Sequence, residues 1–303
     1  MYDFVIIGGG PAGITAGIYA ARQKLNTLLI TKDFGGQINW KAVNIENYPG
    51  FEEISGMDLT KKFENHLKKH NVEIQKEEVR KIEKKENYFL IQTKNGNIFN
   101  SKAVLVASGA EHCSLGVSGE KEFLGKGVSY CTVCDAPMFA NKNVAVVGGG
   151  NAGFEAAITL TKWTKKVYIL EKTDQIKADI ENQKKAEKTG RVEIITDSQV
   201  EEIKGENFVN SLDYFKKNTG EKINLPVEGV FVAIGTRPAI DFVKGLVDLN
   251  EKNEIKIDFS NCQSSCPGLF AAGDASSVAC KQIIVAAGEG AKAALSAYYY
   301  LQK

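Results

Sequence analysis

Gly148-Gly149-Gly150-Asn151-Ala152-Gly153 repeats, ~140 residues further on, a motif that the chain has already used once as Gly8-Gly9-Gly10-Pro11-Ala12-Gly13. Each copy follows an apolar strand, Val144-Ala145-Val146-Val147 or Phe4-Val5-Ile6-Ile7, and opens a run rich in small residues that reads as a helix. In that setting a glycine loop lets backbone N–H groups at a helix N-terminus approach a pyrophosphate. A second apolar strand follows each helix, Thr27 to Ile30 and Val167 to Leu170, so each copy completes a βαβ unit. Strands this continuously apolar are covered on both faces. The fold class is therefore α/β, with two Rossmann-like, three-layer nucleotide-binding domains.

Residues 35 to 60 read as loop, punctuated by Gly35-Gly36 and Tyr48-Pro49-Gly50. A charged helix from Leu59 to His70 has a solvated face. The stretch from Val72 to Asn100 alternates like antiparallel strands, with Asn95-Gly96 as a hairpin turn. Ala103 to Ala107 is a buried strand that Gly229 to Ile234 and Gly268 to Ala272 echo. The second unit thus reads as an insertion into the first domain. The expected domains are 1–114 with 242–303, and 115–241.

The formal net charge of +1 gives no reason to expect a nucleic acid or an anionic membrane as partner. No apolar run approaches the ~20 residues of a membrane span. Met1-Tyr2-Asp3 runs directly into the first strand without room for a leader, so the expected location is cytoplasmic.

Six cysteines, at 113, 131, 134, 262, 266 and 280, do not make a disulfide framework in a chain of this size. Cys131-Thr132-Val133-Cys134-Asp135 is a CxxC, which under reducing conditions is catalytic or metal-binding. Cys262 and Cys266 could complete a four-thiolate zinc site with it. The expectation is a dithiol and no metal, because the two pairs lie in different parts of the fold and zinc would silence the thiols. Cys113 and Cys280 read as small buried or half-buried apolar residues, with a second redox thiol at Cys280 as the alternative. Two dinucleotide sites and one dithiol describe an electron relay. A hydride donor and a flavin are the natural pair of dinucleotides, and the CxxC is the exit.

The motifs Gly8 to Gly13, Gly35-Gly36-Gln37, Glu46 to Gly50, Cys131 to Asp135, Gly148 to Gly153, Ala271 to Asp274 and Lys281-Gln282-Ile283 resemble the low-molecular-weight thioredoxin reductases over nearly the whole chain. The second half is similar to the flavoprotein subunit of alkyl hydroperoxide reductase at Leu170-Glu171, at Lys177-Ala178-Asp179 and from Lys281 to Leu295. The resemblance implies FAD in the first site, with Gly8, Gly10 and Gly13 at its pyrophosphate, Gln37 and Asn47 holding it, Asp274 at its ribitol, and Gln282 and Ile283 near the ring. It implies that Cys134 faces the flavin, that Cys131 attacks the partner's disulfide, and that Asp135 is the acid/base. A helix-capping or surface role is the alternative for Asp135.

The second site would hold a nicotinamide cofactor at Gly148, Gly150 and Gly153, with Glu155 nearby on the opening turn. NADPH-specific members of the family carry a basic cluster after the next strand, where this chain has Glu171-Lys172-Thr173. A carboxylate there accepts hydrogen bonds from the ribose hydroxyls of NAD and repels a 2′-phosphate, so NADH is expected over NADPH. Lys172 and Lys177 keep NADPH open. The implied partner is a thioredoxin-like or glutaredoxin-like disulfide protein, and the implied assembly a homodimer whose domains rotate to present dithiol and nicotinamide alternately. A ferredoxin-dependent reductase and a non-turnover flavin redox sensor stay open beside this reading.

Overall fold

The structure, a computed structural model, describes residues 1–41 and 45–303, the side chains of Trp40, Lys41 and Val133 excepted. Strand β1 (Tyr2–Gly9), helix α1 (Pro11–Arg22) and strand β2 (Thr27–Phe34) form the first βαβ unit. The expected loop from 35 to 60, of which 42–44 lie outside the described residues, contains a short helix, α2 (Gln37–Lys41). Helix α3 (Gly56–Leu67) starts earlier than its charge pattern suggested, because the Ser55 hydroxyl caps it by accepting the Asp58 N–H at 3.1 Å, and it ends at Leu67. Next come β3 (Glu73–Gln75), β4 (Val79–Lys84), β5 (Phe89–Thr93) and β6 (Ile98–Val106), and then a short strand, β7 (Ala110–His112).

The second stretch comprises β8 (Val128–Ser129), α4 (Thr132–Asp135), β9 (Asn143–Val147), α5 (Asn151–Leu160), β10 (Lys166–Leu170), α6 (Ile180–Lys188) and β11 (Val192–Ile195). A meander, β12 (Ser198–Gly205), β13 (Val209–Lys216) and β14 (Glu221–Pro226), leads to β15 (Gly229–Val232) and β16 (Thr236–Pro238). The chain closes with β17 (Leu269–Ala271) and α7 (Ile283–Leu301).

Two compact units result, 1–111 with 237–303, and 112–236. The boundaries drawn on the sequence lie a few residues C-terminal to these.

In the first unit the sheet order is β3-β2-β1-β6-β5-β4, with β17 also on β6. The antiparallel reading of 72–100 holds for β4, β5 and the start of β6 but fails at β3, which pairs parallel with β2. Strand β6 is one long strand that pairs with β1 and, besides it, with two further partners in succession. Ile98 to Ser101 runs antiparallel to β5, and Val104 to Val106 parallel to β17. Alternation along β1 sorts its side chains to two cores. Phe4 and Ile6 pack with Ile14 of α1 and Ala293 and Ala297 of α7, whereas Val5 and Ile7 pack with Ile82, Phe89 and Ile91.

The second unit likewise sorts the side chains of its sheet to two cores. Its parallel sheet, β11-β10-β9-β15-β8, sends Val144 and Val146 toward Phe154 and Leu160 of α5. Ala145 and Val147 pack with Ile203 and Leu212 of the meander. Among the described residues no helix is long and apolar enough to cross a membrane.

Candidate functional site

The two glycine loops are built alike. Gly8 and Gly148 have φ of 117° and 123°, a region glycine alone enters freely, and a Cβ on either would lie 2.2 Å from Ala107 O or 2.5 Å from Ala233 O. A Cβ on Gly13 or Gly153 would lie 1.9 or 1.8 Å from the carbonyl oxygen of Gly8 or Gly148, so each helix sits against its own strand turn. Gly10 and Gly150 face open space. They are the N-caps of α1 and α5, and neither makes a side-chain cap bond. Uncapped N–H groups beside an open glycine fit a phosphate at both helix starts.

The first unit assembles the residues expected around a flavin from distant parts of the chain. Gln37 Nε2 donates to Asp274 Oδ2 at 2.8 Å, and Asn47 Nδ2 donates to Gln282 Oε1 at 3.3 Å. Gln282 is the N-cap of α7 without a cap bond of its own, and Ile283 is the half-buried first residue of that helix. Beside the loop, a Cβ on Gly35 would lie 2.5 Å from Thr60 Oγ1. That hydroxyl is buried without a hydrogen-bond partner, a polar atom suited to a cofactor in close approach.

Two supports here were not legible in the sequence. Lys281 Nζ pairs with Glu254 at 2.9 Å and donates to Ser276 O at 2.6 Å, fixing the approach to Gln282. Glu289 on α7 accepts the Gly273 N–H at 2.9 Å. Burial raises its carboxyl above the usual range, with that hydrogen bond opposing in part.

In the second unit, Glu171 follows β10 and closes on the loop. Its Oε2 accepts the Gly149 N–H at 2.7 Å; its Oε1 accepts from Thr173 N at 3.1 Å and Thr173 Oγ1 at 2.9 Å. Burial pushes this carboxyl up, but the Gly149 and Thr173 hydrogen bonds outweigh it and hold it below the ordinary glutamate value. Thr31 takes the corresponding place against Gly9 in the first unit. The Gly149 carbonyl is gripped as well, by the N–H groups of Lys177 at 3.1 Å and Ala178 at 3.2 Å. Asn151, first in α5, exchanges hydrogen bonds with Asp179, Nδ2 to Oδ2 at 2.8 Å and Asp179 N to Oδ1 at 2.7 Å. Glu155 is exposed and stands beyond the first turn of α5, not on it as its sequence position suggested.

Cys131 and Cys134 are joined as a disulfide with Cα atoms 5.4 Å apart. Cys131 is the N-cap of α4, its Sγ accepting the Cys134 N–H at 3.1 Å, and Cys134 is exposed. Asp135 does not cap a helix through its side chain; its Oδ2 accepts the Ser129 hydroxyl at 2.6 Å. Tyr130, stacked on His112, donates to Glu120 at 2.6 Å, and the same carboxylate accepts the N–H groups of Leu115 and Gly116. Burial and then Glu120 raise the Tyr130 phenol well above its ordinary value, so it stays a donor.

Of the other cysteines, Cys262 and Cys266 are buried and free. Burial pushes the Cys262 thiol up to about 11. Cys113 is half-buried, as expected of a small apolar residue, whereas Cys280 is exposed and so is not the buried gap-filler its sequence suggested. No group of three or more His, Cys, Asp and Glu gathers for a metal among the described residues.

Residues 2–290 match the family described as pyridine nucleotide-disulphide oxidoreductase. The chain is 39% identical over 300 residues to an NADH dehydrogenase of Bacillus subtilis, covering 99% of this chain and 58% of that protein. It is 39% identical over 301 residues to a subunit of the alkyl hydroperoxide reductase of Staphylococcus aureus, covering 99% and 59%. The chain therefore spans under three fifths of the length of these two relatives. A crystal structure of Lactococcus lactis thioredoxin reductase in its FR conformation matches with a TM-score of 0.86 and 38% identity, over 100% of this chain and 99% of that one. The chain belongs to the pyridine nucleotide-disulphide oxidoreductase family, is similar over its whole length to a thioredoxin reductase, and carries the disulfide Cys131–Cys134.

Proposed function

We propose that the protein is an FAD-dependent reductase that takes electrons from NADH in preference to NADPH and delivers them through Cys131 and Cys134 to a thioredoxin-like or glutaredoxin-like protein disulfide. The net reaction consumes NADH, one proton and the partner's disulfide, and yields NAD+ and two thiols. The observation that carries the donor assignment is the Glu171 carboxylate, held ionised with one oxygen 2.7 Å from the middle glycine of the second loop. A ribose hydroxyl can donate to the lone pair left free on Oε2; a 2′-phosphate there meets a like charge. The name of the Bacillus subtilis relative, an NADH dehydrogenase, supports the same reading.

In this reading Gly8, Gly10 and Gly13 bind the FAD pyrophosphate, and the Gln37–Asp274 and Asn47–Gln282 pairs fix the ribitol and ring. FAD bound there supplies two-electron exchange between a hydride donor and a disulfide. Gly148, Gly150 and Gly153 seat the nicotinamide cofactor's pyrophosphate, with Glu155 nearby. Cys134 is the flavin-side thiol, Cys131 the thiol that attacks the partner, and Asp135 the group that takes and returns the Cys134 proton. The working assembly is a homodimer.

The test is an anaerobic titration of the purified flavoprotein with NADH and, separately, NADPH, following loss of oxidised flavin absorbance. NADH should bleach the flavin at the lower concentration. A preference for NADPH, or reduction by ferredoxin with neither nicotinamide active, would overturn the donor assignment.

A further inference from the structure

Ser129 ends β8 and is 3% exposed, yet no sequence motif marked it. Its Oγ accepts the Cys131 N–H at 2.9 Å. Its single proton has two acceptors in reach, Asp135 Oδ2 at 2.6 Å and the Cys131 carbonyl at 3.2 Å. One O–H serves one acceptor at a time. With Asp135 ionised, the shorter, charge-assisted bond wins. Once Asp135 holds a proton it becomes the donor to Ser129, whose remaining lone pair is free for it, and the hydroxyl proton turns to the Cys131 carbonyl.

We propose that Ser129 is a positioning residue that ties the proton on Asp135 to the backbone of Cys131, and so sets the rate at which Cys134 is deprotonated. The proposal rests on Asp135 acting as the base, as inferred above. The reaction it serves is reduction of a disulfide by the Cys131–Cys134 dithiol. The Cys131 thiolate attacks a disulfide RSSR, forming the Cys131–SR bond and expelling RS−. Asp135 takes the proton of the Cys134 thiol. The Cys134 thiolate then attacks Cys131 Sγ, closing the Cys131–Cys134 bond and expelling the second RS−. The dithiol loses two electrons, RSSR gains them, and Asp135 returns its proton to solvent.

Only the second expulsion depends on Asp135, which gives a readout that a merely structural role would not produce. The test uses the flavoprotein with Cys113→Ser and Cys280→Ser, the cysteines that are neither buried nor bridged. It is reduced anaerobically and mixed with dithiobis(nitrobenzoate) in stopped flow. Ser129→Ala should leave release of the first nitrothiolate within about twofold and slow the second about tenfold, the loss expected for one hydrogen bond to a charged group. In an Asp135→Asn background, Ser129→Ala should add less than about twofold.

A wild-type second phase in Ser129→Ala, equal slowing of both phases, or full additivity with Asp135→Asn overturns the proposal. If Asp135→Asn slows the second phase and Ser129→Ala does not, the role of Asp135 stands and the Ser129 coupling alone falls. If Asp135→Asn itself leaves the second phase unchanged, the base assignment fails and the coupling falls with it.

Discussion

Glu171→Gln removes a charge from the second loop while leaving an oxygen to accept the Gly149 N–H that Glu171 now accepts at 2.7 Å. Two unit charges 4 Å apart interact by about 1 kcal/mol in bulk water and about 4 kcal/mol near a protein surface. Glu171 is half-buried, so about 2 kcal/mol is the repulsion to expect against a 2′-phosphate, or roughly 30-fold in relative specificity. Glu171→Gln should therefore shift the ratio of kcat/KM for NADH over NADPH about 10- to 30-fold toward NADPH, and Thr173→Arg beside it should shift it further.

Glu171→Ala should behave differently. It leaves the Gly149 N–H without its acceptor, an orphaned group that costs about 1–3 kcal/mol, and should weaken both nucleotides. The assay is stopped-flow flavin reduction by each nucleotide across a concentration series. If Glu171→Gln lowers both nucleotides equally and keeps the ratio, Glu171 is a staple for the loop and the reasoning about donor choice is refuted.

Replacing Cys131 or Cys134 by Ser should abolish reduction of disulfide substrates while leaving flavin content and its bleaching by nicotinamide unchanged; disulfide turnover by either variant would refute the relay. Gly13→Ala and Gly153→Ala place a methyl 1.9 and 1.8 Å from a carbonyl oxygen. The first should purify without FAD. The second should keep FAD but lose reduction by nicotinamide, both read from the visible spectrum. Asp213 on β13 is held at about 2 by hydrogen bonds from Lys204 and Asn224 against the opposing effect of burial. A depressed carboxylate contributes stability that is present above its unfolded value and lost as pH falls through its folded one. Thermal unfolding should thus find Asp213→Asn less stable than the parent at neutral pH, with the gap closing between pH ~4 and ~2.

Glycine loops and CxxC were legible because their chemistry is local: a few consecutive residues set φ, the helix start and the reach of a disulfide. The βαβ strands were legible because burial on both faces leaves an uninterrupted apolar run, as at Phe4 to Ile7. What failed depended on pairing. Glu73 to Gln75 has the alternation of its antiparallel neighbours but lies parallel against β2, and three residues carry too little pattern to choose. The resemblance named Gln37, Asn47, Asp274 and Gln282 singly, but not that they meet as two hydrogen-bonded pairs across more than two hundred residues. Ser129, Asn151–Asp179 and Lys281–Glu254 were invisible for the same reason. A serine before a CxxC or a lysine before a glutamine has no signature until its partner is in place.

The relay stands or falls on where the nucleotide's electrons end. The oxidised flavoprotein is mixed anaerobically with a known, limiting amount of NADH, quenched with an alkylating agent, and mapped by mass spectrometry. Alkylation appearing at Cys131 and Cys134 together, in step with the NADH oxidised beyond what the flavin retains, is the predicted result. Flavin reduction with the Cys131–Cys134 bridge intact at every NADH level would contradict the account.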